Sequence, residues 1–166
     1  ALPGMLEEVV KGRDDGFDAI ILACFDDTGL AEARRLSGVP TIGIGEAAFH
    51  VAMLLGAKFS VVTTLAISVP VIEENLRDYG LESACLKVRA SEVEVLDLEI
   101  DGSSARDKIS NEMACSLREE QPGAVVLGCA GMADLASQLS QTHNVPVIDG
   151  VASAVGLASG LVRLRR

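Results

Sequence analysis

Two of the four cysteines, Cys24 and Cys129, end short apolar runs and open tight, glycine-containing turns: AIILACFDDTGL at residues 19–30 and AVVLGCAGMADL at residues 124–135. A continuous aliphatic run suits a strand buried on both faces of a parallel sheet. The thiol then stands at the strand's carboxyl end, where open α/β sheets bind ligands. A helix is expected after each turn, and a helix N-terminus favours the thiolate of a nearby cysteine. The backbone N–H groups of Thr28 and Gly29, and of Ala130, Gly131 and Met132, are placed to hold an anion or a developing enolate oxygen. One thiolate can remove a proton from a carbon acid while a thiol on the opposite face returns another. Inversion at carbon needs that arrangement. It needs no metal and no organic cofactor, and neither a GxGxxG after a first strand nor a P-loop is present.

The two cysteines belong to a longer repeat. VPTIGIGEAA begins 15 residues after Cys24, and VPVIDGVASA begins 16 residues after Cys129. Both halves read as apolar strand, cysteine, turn, helix, Val-Pro strand, glycine and small-residue helix. Two related lobes follow, each with one thiol at a strand end, and if the lobes face each other, so do Cys24 and Cys129.

The elements that must hold these residues alternate along the chain. Strands are expected at residues 19–23, 39–45, 58–65, 85–89, 124–128 and 145–148. Helices are expected at 6–11, 29–36, 46–55, 69–79, 105–119, 132–140 and 151–162, with Gly56 as a C-cap of the third. The acidic stretch 91–104 reads as a solvated loop. This order predicts an α/β fold of two similar lobes, parallel sheets flanked by helices. Lobe one would take residues 1–56 with 148–166, and lobe two residues 57–147. The opening ALPGMLEEVVKG reads as the interior of a unit, so a first strand is expected to lie upstream of the sequence.

Composition narrows the partners. The 166 residues are 49% hydrophobic, with 16 Gly, no Trp and a formal charge of −10. An acidic chain does not suit nucleic acid or anionic membranes, and the terminal RLRR is too small a basic cluster to change that. No apolar run is long enough for a bilayer span and no signal-peptide pattern opens the chain. Four cysteines without CxxC spacing and only two histidines fit neither a disulfide framework nor a zinc site. A cytoplasmic protein with reduced thiols and a small-molecule substrate is expected. Homo-oligomerisation is left open.

GCAGMADL, VPVIDGVASAV, GIGEAAFH and FSVVTTL together resemble the hydantoin and allantoin racemase branch of the aspartate/glutamate racemase superfamily, over residues 16–162. The resemblance implies a two-lobed α/β fold and cofactor-independent 1,1-proton transfer at C5 of a 5-substituted hydantoin, with Cys24 and Cys129 as the two bases. It also implies that Thr63 and Thr64 line the pocket. Two departures stand out. The family's Gly-Asp-Pro-Gly after the first cysteine is replaced by FDDTGL, which adds the carboxylate of Asp26 near the thiol, and a like charge opposes thiolate formation. The family's opening strand, ending in Asn-Pro-Asn, is absent from the sequence.

Other residues divide between packing and chemistry. Cys85 and Cys115 are assigned to packing. Thr63 and Thr64 are either a β-branched strand end or hydroxyl contacts to the substrate's carbonyl groups. Asp149 and Glu46 suit helix capping or bracing, His50 packing, and His143 an exposed turn. Three alternative functions stay open: an aspartate or glutamate racemase, a non-catalytic α/β ligand-binding domain, and a redox-active cysteine pair. The first must bind a second carboxylate, and the turn motifs offer no Arg or Lys for it.

Overall fold

A computed structural model describes residues 2–55, 58–100 and 103–165. Gly56, expected as a C-cap, lies outside the described residues, as do Asp101 of the acidic stretch and Arg166 of the basic tail. The elements run α1 (Leu2–Asp14), β1 (Ile20–Leu22), α2 (Leu30–Ser37), β2 (Thr41–Gly43), α3 (Ile44–Leu54), β3 (Phe59–Thr63), α4 (Val69–Asp78), β4 (Cys85–Ala90), α5 (Ala105–Glu119), β5 (Ala124–Leu127), α6 (Ala136–His143), β6 (Val147–Asp149) and α7 (Gly150–Leu164). β1 and β2 form one parallel pair; the other strands form a parallel sheet in the order β4-β3-β5-β6. Strand and helix alternate as the sequence requires, because parallel neighbours need crossover connections.

Burial explains the strands. Every residue of β3 and β5 is buried, as expected for central strands covered by helices on both faces. Phe49 of α3 anchors the core, edge-on to Phe25 with centroids 5.4 Å apart and stacked on Phe59 at 5.9 Å. α3 is apolar on most sides and packs against α7 as well as β5 and β6, so one hydrophobic cluster joins both sheets. On the far face, α5 is clamped to β4 by Arg89, which meets Glu112 and Glu120 at 2.6 Å and Glu119 at 2.8 Å.

The repeat is visible in strand register. Leu22 pairs with Gly43 in the small sheet, and Leu127 pairs with Asp149 in the large one. Ile20 N–H donates to Pro40 O, and Val125 N–H donates to Pro146 O, both at 2.9 Å. Cys24 and Cys129 each stand two positions beyond the strand residue that faces the start of the following small-residue helix. They occupy equivalent places.

Several elements differ from the sequence reading. The acidic stretch is not simply a solvated loop. Val93 is 1% exposed, its N–H donates to Thr64 O at 3.3 Å, and a short 3₁₀ turn covers Val95–Glu99. Alternation of Ser91 and Val93 with Glu92 and Glu94 carries the buried face. His143 is half-buried and shares a 2.9 Å hydrogen bond with Ser110 of α5. The helix expected at 132–140 begins as a 3₁₀ turn, Ala130–Leu135, and becomes α-helical only in α6. β6 spans the expected lobe boundary and is paired with β5.

Candidate active site

Cys129 lies in a turn fixed from three directions. Its carbonyl accepts the Met132 N–H at 3.1 Å. The Met132 side chain is fully buried in the cluster under α5 and α6, so this residue anchors the turn. Before the cysteine, Thr63 donates its hydroxyl to Gly128 O at 3.0 Å. A Cβ at Gly128 would stand 2.7 Å from Thr63 Cβ, so the ends of β3 and β5 approach too closely there for any side chain. Beyond the cysteine, exposed Gly131 has Leu98 and Val95 of the 3₁₀ turn beside it, with Cys129 Sγ 3.8 Å from where its Cβ would be.

Electrostatics at Cys129 oppose the expected lowering by a helix end. Burial of the half-exposed thiol raises its pKa first; the Gly131 N–H pulls it down; the charges of Cys24 and Asp26 push it up again. The short 3₁₀ turn that follows supplies less dipole than an α-helix N-terminus. The same balance shows that Cys24 and Asp26 lie within electrostatic reach of Cys129. The two thiols from equivalent places therefore share one neighbourhood. Cys24 itself is exposed and lines a groove of ≈ 410 Å³ together with Met5, Val9, Leu22 and Thr28 among others.

The Cys24 turn is held differently. Phe25 is buried in the core, and the Asp27 N–H donates to Cys24 O at 3.1 Å. Asp27 has φ +51°, in the left-handed region that Asp tolerates better than most residues. Its carboxylate, 5% exposed, accepts from Gly45 N–H at 3.1 Å, Glu46 N–H at 2.7 Å and the Tyr79 hydroxyl at 2.9 Å. Burial outweighs these bonds and raises the Asp27 carboxyl to about 6. Asn75 Nδ2 donates to Asp26 O at 2.7 Å. Burial also raises the Asp26 carboxyl.

The remaining predicted residues fall around this frame. Thr28 is exposed and Gly29, at φ +80°, opens α2. Thr63 and Thr64 are both buried at the end of β3; the Thr63 hydroxyl is committed to Gly128 O, and Thr64 O accepts from Val93 N–H. Asp149 caps α7 by accepting the Ala152 N–H at 2.9 Å. Glu46 pairs with Arg34 of α2, and His50 Nδ1 lies 2.8 Å from Glu46 O. Cys85 is half-buried and its thiol is pushed up to about 12, chiefly by burial; Cys115 on α5 accepts from Arg118. The sequence reading missed Asp27, Tyr79 and Asn75. One signal was available: Gly43 stands where the repeat has Asp149, so α3 lacks a side chain of its own for the cap and needs one from elsewhere.

With that geometry in hand, comparison with known proteins is specific. Residues 1–158 match the family model described as Asp/Glu/Hydantoin racemase. A hydantoin racemase of Rhizobium meliloti is 47% identical over 162 residues, covering 98% of this chain and 67% of that protein. A hydantoin racemase of Pseudomonas sp. (strain NS671) is 38% identical, covering 99% of this chain and 66% of that protein. The solved structure of allantoin racemase from Klebsiella pneumoniae superposes with a TM-score of 0.92 at 43% identity, covering 97% of this chain and 66% of that one. The chain thus spans about two thirds of the length of these relatives.

Proposed function

The chain belongs to the Asp/Glu/Hydantoin racemase family, and on that premise we propose that it racemises 5-substituted hydantoins or allantoin by two-thiol proton transfer at C5. Cys24 and Cys129 exchange the roles of base and acid with the hand of the substrate. One observation carries the reading: two cysteines at equivalent places of a repeated unit lie within electrostatic reach of each other. The hydantoin ring delocalises the carbanion over its carbonyls, so less transition-state stabilisation is asked of the protein than for a free amino acid.

The raised Cys129 thiol has a defined part in this scheme. Held protonated by burial and by the charges of Cys24 and Asp26, it stands ready as the acid while Cys24 removes the proton. When substrate of the other hand binds, the Gly131 N–H supports the Cys129 thiolate. The exposed backbone at Gly131 and the Thr28–Gly29 turn orient the ring, with Thr63 and Thr64 behind them. The reaction as proposed is cofactor-independent and cytoplasmic, and the two sheets act as two lobes with a thiol each. A single substrate carboxylate, as in an amino acid, would meet Asp26 beside the thiols, which favours the uncharged ring.

The test is proton NMR in D2O with single enantiomers of 5-benzylhydantoin and of allantoin, with polarimetry alongside. The wild type exchanges the C5 proton and loses optical rotation. Cys24→Ser and Cys129→Ser lower inversion at least a hundredfold, within the usual range for losing a general acid or base. Full activity in both variants would sink the assignment.

A further inference from the structure

α3 and α7 are repeat mates, and their first turns carry the same cap from different sources. In α7, Asp149 stands at the cap position and accepts the N–H of Ala152, three residues on. In α3 the cap position is Gly43, and the N–H of the matching third residue, Glu46, is taken by Asp27 from the Cys24 turn. Gly43 has an extended backbone, φ −85° and ψ 141°, which any residue adopts. The Asp27 carboxylate fills the space that a Cβ at 43 would need, and its atoms are the nearest to it. A cap alone would be met by an Asp at 43. The remote carboxylate does something more, because it ties the turn carrying the first thiol to a rigid helix.

A second set of bonds points the same way. Tyr79 donates to Asp27 Oδ2, the oxygen that also accepts the Glu46 N–H, and Asn75, one helical turn earlier, holds the Asp26 carbonyl. Asn75 lies on α4 and Tyr79 caps its C-terminus; Ile72 and Leu76 of that helix are buried in the core with Phe59 and Val88 of β3 and β4. The turn of the small sheet is therefore fastened to the large sheet, which carries Cys129. We propose that Asp27 is a positioning residue: with Tyr79 and Asn75 it fixes where the Cys24 thiol stands relative to Cys129, beyond its role as a helix cap. This rests on the racemase reading for its kinetic test, and on thiol chemistry for a test independent of that reading.

The decisive variant moves the cap without the tether. Asp27→Gly removes both. Asp27→Gly combined with Gly43→Asp restores a local cap like that of Asp149 and leaves the Cys24 turn without its carboxylate tether, held only by Asn75. Tyr79→Phe keeps the ring against Phe49 and loses one tether bond. For each, thermal stability, inversion rate and C5 exchange in D2O are measured on both enantiomers. Stability lost in Asp27→Gly returns in the double variant. Inversion stays at least tenfold down. Exchange of the enantiomer whose proton faces Cys129 falls less than threefold, because that thiol is undisturbed. Tyr79→Phe shows the same split to a smaller degree, and decides the matter if the double variant does not fold.

Inversion that returns together with stability makes Asp27 a cap and nothing more, as does a loss equal in both hands and both reactions. If the wild type neither exchanges nor inverts either substrate, the racemase reading fails by itself. Alkylation by iodoacetamide, read by mass spectrometry, then decides: the tether predicts at least a threefold change at Cys24 in Tyr79→Phe with Cys129 unchanged. Equal rates at Cys24 in wild type and variant overturn it.

Discussion

The two thiol-bearing turns share a register and differ in what holds them. In both turns the residue three on, Met132 or Asp27, donates its N–H to the cysteine's carbonyl; beyond that the Cys129 turn is secured by buried Met132 and a hydroxyl from the adjacent strand. The Cys24 turn is otherwise secured from a distance, through Asp27 to α3 and through Asn75 of α4 and Tyr79 at its end. The first is built of glycine and alanine and sits half-buried; the second carries two carboxylates beside an exposed thiol. A duplicated unit can keep a reactive group in the same place while changing what fastens it. In the first unit, fastening and capping have become one carboxylate.

The largest test of that difference is steric. Gly45 and Val151 hold the same position, second in their helices. A Cβ at Gly45 would stand 2.8 Å from Asp27 Oδ2 and press on the Phe25 carbonyl, and a backbone oxygen cannot swing aside. Gly45→Ala is expected to cost about 3 kcal/mol, at the upper end for overpacking. Val151→Ala, its mate, is expected to cost under about 1.5 kcal/mol, since Val151 is only half-buried. Denaturant titration of both variants checks this; equal losses would mean that the remote cap does not constrain α3.

A smaller effect is set by pH. Burial raises the Asp27 carboxyl from 3.8 to about 6. Between about pH 4 and pH 6 the folded protein keeps a proton that the unfolded chain has released. This contribution to stability is full below about pH 4 and is lost as the pH rises through about 6, and it is on the order of 3 kcal/mol. Wild type minus Asp27→Asn, measured by urea unfolding from pH 4.5 to 7, should show that loss with rising pH. A pH-independent difference would place the charge of Asp27 outside the balance that holds the turn.

Much of the frame was legible because it is local. Apolar runs marked β3 and β5, glycines bounded α2, and Ala105–Glu119 stood out as a helix. The matched Cys and Val-Pro motifs predicted equivalent places for Cys24 and Cys129, and strand register bears that out. What stayed hidden depends on partners distant in sequence. Tyr79 and Asn75 read as ordinary helix residues until α4 is packed behind the Cys24 turn. His143 read as exposed until α5 brought Ser110 to it. Val93 was masked by its acidic neighbours, since composition described the stretch and alternation described its burial.

Time separates the two helix caps as well as space. The Asp149 cap closes a loop of three residues and can form as soon as α7 winds. The Asp27 contacts close loops of 18, 19 and 52 residues, and loop closure over such lengths waits for both α3 and α4 to be in place. The remote cap of α3 is thus the later of the two caps to set and the first to open again in local fluctuations. Amide exchange reads this directly: the Gly45 and Glu46 N–H groups should exchange faster than that of Ala152, and a reversed order would count against it.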